Sequence, residues 1–169
     1  DADANLFGAN FRATERTYQL LTQVVGRAGR RERLGKAIIQ SYNPDNLILQ
    51  SLCDGDKDKI IEFEKENRQL INLPPYGKLA MVIFSGKDEI KTYKKIKEFV
   101  TMFPPNNDDF EILGPTPTFL YKMNNDFRFK LLFKSKNNVN IQKMILKNIE
   151  KIKTEHISIK IDVNPYFII

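Results

Sequence analysis

An α/β segment followed by a small α+β sandwich is the architecture this sequence predicts, and three observations predict it. From residue 75 onward, segments with strand-like and helix-like apolar spacing follow one another in the order β-α-β-β-α-β. Just before them, "NLPPYG" (72–77) places two prolines where a helix must stop, and the composition changes after it. Upstream, an amphipathic helix runs into interleaved glycines and arginines, then into a short apolar run and a turn.

The elements follow in chain order. "FRATERTYQLLTQVVGRAGR" predicts a helix with Asn10 as N-cap; Tyr18, Leu21, Val25 and Ala28 recur at helical spacing, and Gly26 and Gly29 end it. "GKAIIQSY" (35–42) predicts a short strand closed by the turn "NPDN". "NLILQSLC" and "DKDKIIEFEKENRQLI" predict two helices, the second acidic at its start as the helix dipole favours. Beyond the prolines come a strand (79–86) and a helix (88–103) with Ile90, Tyr93, Ile96 and Val100 along one side. An extended segment broken by prolines (110–121), an alternating strand (127–134), a helix (140–152) and a last strand (157–163) complete the order. This is the order of a split βαβ, ferredoxin-like sandwich. The expected division is residues 1–53, a linking helix over 54–74, and a C-terminal domain over 75–169.

Composition narrows the function classes. The chain of 169 residues carries a net charge of +6, and residues 75–169 hold 16 Lys and Arg against 10 Asp and Glu. Such a balance is compatible with polyanion binding, and equally with a Lys-, Ile- and Asn-rich composition that reflects host sequence bias. Cys53 and His156 are each alone, which excludes a disulfide framework or a Cys/His zinc cluster within these residues. No run approaches the ~18–20 apolar residues of a membrane span. The acidic start carries no secretory signal, and a reducing cytoplasm fits best. Because the first residue is Asp1, the chain reads as a piece of something longer.

The chemistry concentrates in "QVVGRAGRRER" (23–33). On a helical wheel Arg12, Arg16, Gln19, Gln23, Arg27 and Arg30 form one face and the apolar set lies opposite. An amphipathic helix with a solvated basic face explains the arginines. It does not explain Gly26 and Gly29, since glycine weakens a helix by about 1 kcal/mol relative to alanine. Glycines there suggest close backbone approach or a special turn, and arginines fixed beside them make a planar fork for phosphate oxygens.

"Q-x-x-G-R-x-G-R" before a loop and an apolar run resembles the sixth motif of superfamily 2 helicases. The wider string "DADANLFGANFRATERTYQLLTQVVGRAGR", with "NLPPYGKLAMVIFSG", "ILGPTP" and "IDVNP" downstream, resembles the bacterial primosomal protein N′ family, the PriA-type replication-restart helicases. The resemblance implies that residues 1–53 are the end of a RecA-like lobe 2. It makes Arg27 and Arg30 the arginine fingers on the ATP γ-phosphate, with Gln23, Gly26 and Gly29 part of the nucleotide-binding motif. Asp1 and Asp3 match an acidic pair after the preceding motif, and Arg12 and Arg16 face the same cleft or pair with Glu15. ATP and magnesium are implied for the full-length protein only, because no phosphate loop is present. A zinc insertion is implied upstream and none within, so no metal ligand is expected here. The implied partners are forked and single-stranded DNA, single-stranded-DNA-binding protein and other primosome proteins, with no membrane.

For the C-terminal domain, "FRFKLLFK" puts Phe127, Phe129, Leu131 and Phe133 on one face and Arg128, Lys130 and Lys134 on the other. The phenylalanines are expected in the core. The basic face is either solvated or tracks a DNA backbone, with Tyr121 or Lys122 at its edge. In "IDVNP", Asn164 stands where the family places aspartate. The rival class is a non-enzymatic ferredoxin-like nucleic-acid-binding module with a basic helical arm.

Overall fold

The computed structural model of the chain describes residues 12–28, 35–165 and 168, in two compact units divided between Asn67 and Arg68. Three helices belong to the first unit: α1 (Ala13–Ala28), α2 (Leu47–Asp54) and most of α3 (Lys57–Leu70). The α2 boundaries are written in short polar residues. Asn46 Oδ1 accepts the Ile48 N–H at 2.9 Å, and Gly55 ends the helix at φ 70°, a left-handed conformation that glycine adopts without steric cost. The Asp56 carboxylate then accepts from the N–H groups of Asp58 and Lys59 at the start of α3. Along α1, Tyr18, Leu21 and Val25 are half-buried while Ala28, the fourth member of the expected stripe, is exposed. The helix packs on α2, and its buried residue is Thr17. Asn10, Gly29 and Arg30 lie outside the described residues.

The strand expected over 35–42 does not form. These residues join no ladder, and Ile38 and Tyr42 are 85% and 94% exposed. An apolar run becomes a strand only beside another strand that takes up its backbone groups, and this unit has none among its described residues. Its core is correspondingly thin. Of the nineteen buried apolar residues described, only Ile48, Leu49 and Ile60 lie here.

The second unit is a small α+β domain. Strands β1 (Gly77–Gly86), β2 (Phe110–Met123), β3 (Asp126–Lys136) and β4 (Ile157–Val163) form one antiparallel sheet in the order β2-β3-β1-β4. Helix α4 (Glu89–Val100) links β1 to β2, and α5 (Ile141–Ile149) links β3 to β4. β1 and β2 are therefore parallel with β3 between them, as a split βαβ requires. Prolines 115 and 117 sit in β2 because it is an edge strand, where a missing N–H costs no ladder bond. The β2–β3 hairpin closes on Asn124 and Asn125, both at positive φ (53° and 64°), the two-residue turn whose twist matches the strands.

One face of the sheet and the two helices enclose the core. Ala80, Val82 and Phe84 of β1 and Phe129, Leu131 and Phe133 of β3 are at most 5% exposed. Phe99 and Phe103 come down onto them, with ring centroids 5.3 Å (Phe84–Phe99) and 4.9 Å (Phe103–Phe133) apart. The α4 stripe differs from the expected one. Thr92, Ile96 and Phe99 are buried, Tyr93 and Val100 half-buried, and Ile90 is 66% exposed. At about 100° per residue Ile90 falls some 160° from Thr92, so spacing alone misassigned it. Thr92 is tolerated in the core because its hydroxyl donates to the Asp88 carbonyl at 2.7 Å. Gly77 is needed for packing: a Cβ there would collide with the Asn72 carbonyl and lie 2.7 Å from that of Ser135.

Candidate nucleic-acid interface

Strand alternation places Arg128, Lys130 and Lys134 of β3 on the sheet face away from the helices, as expected. Their surroundings separate them. Lys134 Nζ lies 2.7 Å from a Glu111 carboxylate oxygen on β2. Lys130 Nζ donates to the Ile168 carbonyl at 2.6 Å, and burial lowers its pKa. Among the described residues, Arg128 has only a 3.8 Å contact from Nη1 to the Met123 sulfur, a weak acceptor. Lys122 pairs with Phe127 across the hairpin and therefore lies on the opposite face, its ammonium 4.9 Å from that ring. The four cations expected as one set are thus one half-exposed arginine, two engaged lysines and one lysine on the other side.

Sequence reasoning missed a fifth. Ile83 pairs with Lys130 on one side and Lys160 on the other, while Ser85 pairs with Arg128 and Ser158. Lys160 is exposed and, among the described residues, joins no ion pair within 4 Å. The signal was present in "ISIKIDV", whose alternation sets Ser158, Lys160 and Asp162 opposite the isoleucines. At this end of the sheet Arg128 and Lys160 flank two serines, an arrangement suited to a polyanion backbone.

Tyr121 is not at the edge of that face. Its ring turns to the helix side, 5.6 Å from Phe127 and 5.6 Å from Phe129. Its phenol is pushed up to about 12, first by its hydrogen bond to Glu89, then by burial and by the Glu89 charge. A pKa raised on folding favours the protonated state, so the contribution is present below pH ~10 and lost as pH rises through ~12. Absorbance titration is expected to show one late tyrosinate near 12, moving back toward 10 in Glu89→Ala. A uniform titration of all six tyrosines would contradict the pairing.

On α1, Arg16, Gln19, Gln23 and Arg27 are all exposed along one face, with Gln19 Nε2 3.5 Å from the Glu15 carboxylate. Arg27 sits in the last turn, where its charge meets the negative end of the helix dipole. At Gly26, where close backbone approach or a special turn is expected, a Cβ would meet nothing within 4 Å among the described residues. Arg30 and Gly29 lie outside the described residues, so the arginine pair is seen only through Arg27. Asn164, at φ 52°, accepts the Leu79 N–H through Oδ1 at 3.4 Å and donates its own N–H to the Leu79 carbonyl at 2.9 Å. Asparagine tolerates that left-handed backbone, which accounts for its place after the last strand. Among the described residues no His, Cys, Asp and Glu group could hold a metal, and no helix is long and apolar enough to cross a membrane.

Comparison with known proteins bears on both units. The chain is 37% identical over 166 residues to the replication restart protein PriA of Rickettsia conorii, covering 98% of this chain and 25% of that protein. It is 38% identical over 166 residues to that of Rickettsia prowazekii (98% and 25%) and 34% identical over 170 residues to that of Bacillus subtilis (98% and 21%). The chain therefore spans about a quarter of the length of the curated relatives it matches. A family model described as the primosomal protein N C-terminal domain matches residues 69–166, almost the whole of the sheet-bearing unit. Matched by that family model over residues 69–166 and similar over 98% of its length to these relatives, this chain belongs to the primosomal protein N C-terminal domain family.

Proposed function

We propose that the chain is the C-terminal part of a PriA-type replication-restart protein, an ATP-dependent 3′→5′ DNA helicase of the cytoplasm. In this reading it completes the helicase's ATP site through α1 and holds forked DNA through the sheet domain. The observation that carries it is similarity over 98% of the chain, a share that takes in both the "GRAGR" motif and the sheet domain. That only Ile48, Leu49 and Ile60 are buried apolar residues among the described part of the first unit is compatible with its being a piece of a larger lobe.

In the full-length protein ATP with magnesium supplies the phosphoryl group. Arg27 and Arg30 then stabilise charge that develops on it, and Gln23, Gly26 and Gly29 shape the approach to the nucleotide. A zinc insertion lies upstream. Primosome proteins and single-stranded-DNA-binding protein are the partners, and loading of the primosome is the outcome.

For the sheet domain the contacts are to phosphate: Arg128 and Lys160 first, Lys134 less because Glu111 already neutralises it. Replacing both Arg128 and Lys160 by alanine is expected to lower the slope of log affinity against log salt by roughly 1.4–1.8. Affinity should fall equally across sequences, since phosphate contacts carry no base information. Lys134→Ala should change the slope by less than half as much per charge. Lys91→Ala with Lys94→Ala on α4 removes the same charge from the helix layer. Equal slopes from the two double variants would sink the face and leave only a diffuse positive field.

A further inference from the structure

The β2–β3 arm carries a feature that the sheet does not need. Pro117 pairs with Phe129 and Lys122 with Phe127, so the four residues 118–121 of β2 stand opposite the single residue Arg128 of β3. A ladder cannot absorb the surplus, and the chain bulges outward. Thr118 Oγ1 donates to the Leu120 carbonyl at 2.8 Å and closes the excursion. Tyr121 returns to the aromatic core, whereas Phe119 and Leu120 remain 83% and 54% exposed.

A phenylalanine so exposed adds nothing to the core, and here it is held between paired residues rather than on a free end. The charges beside it favour one kind of ligand. Lys122 lies on one face of the hairpin and Arg128 on the other, and neither joins an ion pair among the described residues. Between residues 113 and 130 the single carboxylate is Asp126. An exposed ring flanked by unneutralised cations matches the pattern by which proteins hold single strands: bases stack on the aromatic and phosphates meet the basic groups.

We infer that Phe119 is a base-stacking residue. It receives an unpaired base of single-stranded DNA, and the adjoining phosphates are drawn to Lys122 and Arg128. The inference rests on the DNA-binding reading above and adds the single strand as the ligand of this arm. Intact duplex offers no such base, because its bases are already stacked on one another.

The test uses the full-length protein with a single-stranded oligonucleotide and a blunt duplex of equal length. Phe119→Ala should weaken single-strand binding about 5- to 100-fold, the range of one base–aromatic stack. Duplex affinity should change less than twofold, and the salt slope should stay unaltered because stacking releases no counterions. Phe119→Trp should keep the affinity, and 2-aminopurine in the single strand should be quenched by the Phe119 and Trp proteins alone. Because the side chain is exposed, the thermal transition should not move, which separates lost stacking from lost folding. Unchanged single-strand affinity in Phe119→Ala, or an equal loss on duplex, overturns the stacking role while the salt-dependent duplex binding of the parent protein leaves the broader reading standing. A parent protein that binds neither DNA overturns both. Loss of a protein partner with DNA affinity intact would assign the ring to protein recognition and overturn the proposal.

Discussion

Arg27→Ala or Arg30→Ala in the full-length protein is expected to lower ATP hydrolysis by about 10³–10⁵, the range typical of an arginine finger, with fork binding near normal. Arg27 occupies the last turn of α1 and is exposed on the same face as Gln23, one turn earlier. An exposed guanidinium at a helix C-terminus has little to contribute to the fold of its own unit. Its planar fork is suited to two phosphate oxygens at once, so lysine, a point charge, should not rescue either position. The chain by itself is expected to show no DNA-stimulated ATPase, since it carries no phosphate loop. Turnover from the pure chain, abolished by Arg30→Ala, would overturn the half-site. The opposite pattern, weaker DNA binding with ATPase preserved, would make the arginines a surface patch.

Phe133→Ala should destabilise the sheet domain by about 3–5 kcal/mol, the usual cost of deleting a fully buried aromatic side chain. Its ring is 0% exposed and meets three others, with centroids 4.9 Å away at Phe103, 6.2 Å at Phe110 and 6.4 Å at Phe99. Those partners come from α4, the turn after it and β2, so removing Phe133 opens a cavity where three segments converge. For a domain of this size the thermal midpoint should fall by on the order of 15 °C or more. Phe119→Ala, the same chemical change on an 83% exposed ring, should cost within about 0.5 kcal/mol. Scanning calorimetry of the two variants side by side decides the matter. Similar midpoints would mean that the aromatic cluster is not the core.

Periodicity alone determined the order of elements after residue 75 and which side of "FRFKLLFK" is buried, because alternation and helical spacing are local properties of the chain. The phenylalanines of β3 face the helices, as that alternation requires. The polar face of α1 was legible for the same reason, and the family was legible because its motifs are short strings in fixed order. What the sequence could not carry was anything that depends on a partner distant in the chain. Whether "GKAIIQSY" is a strand depends on a neighbouring strand, and the first unit has none among its described residues. Ile90 shares helical spacing with Tyr93 and Ile96, but only the position of the sheet decides that Thr92 and Phe99 point inward instead.

The candidate site divides along the same line. That Arg128, Lys130 and Lys134 share a face follows from alternation. That Glu111 neutralises one and the Ile168 carbonyl holds another does not, because these partners come from β2 and from beyond β4. Lys160 joins Arg128 only because β1 lies between β3 and β4. The bulge at residues 118–121 is likewise a matter of register, set by pairing across the hairpin and invisible in β2 alone. Local chemistry determined which residues are basic, aromatic or apolar. Only long-range strand pairing decided which of them meet, because a ladder fixes contacts between residues tens of positions apart that no local pattern encodes.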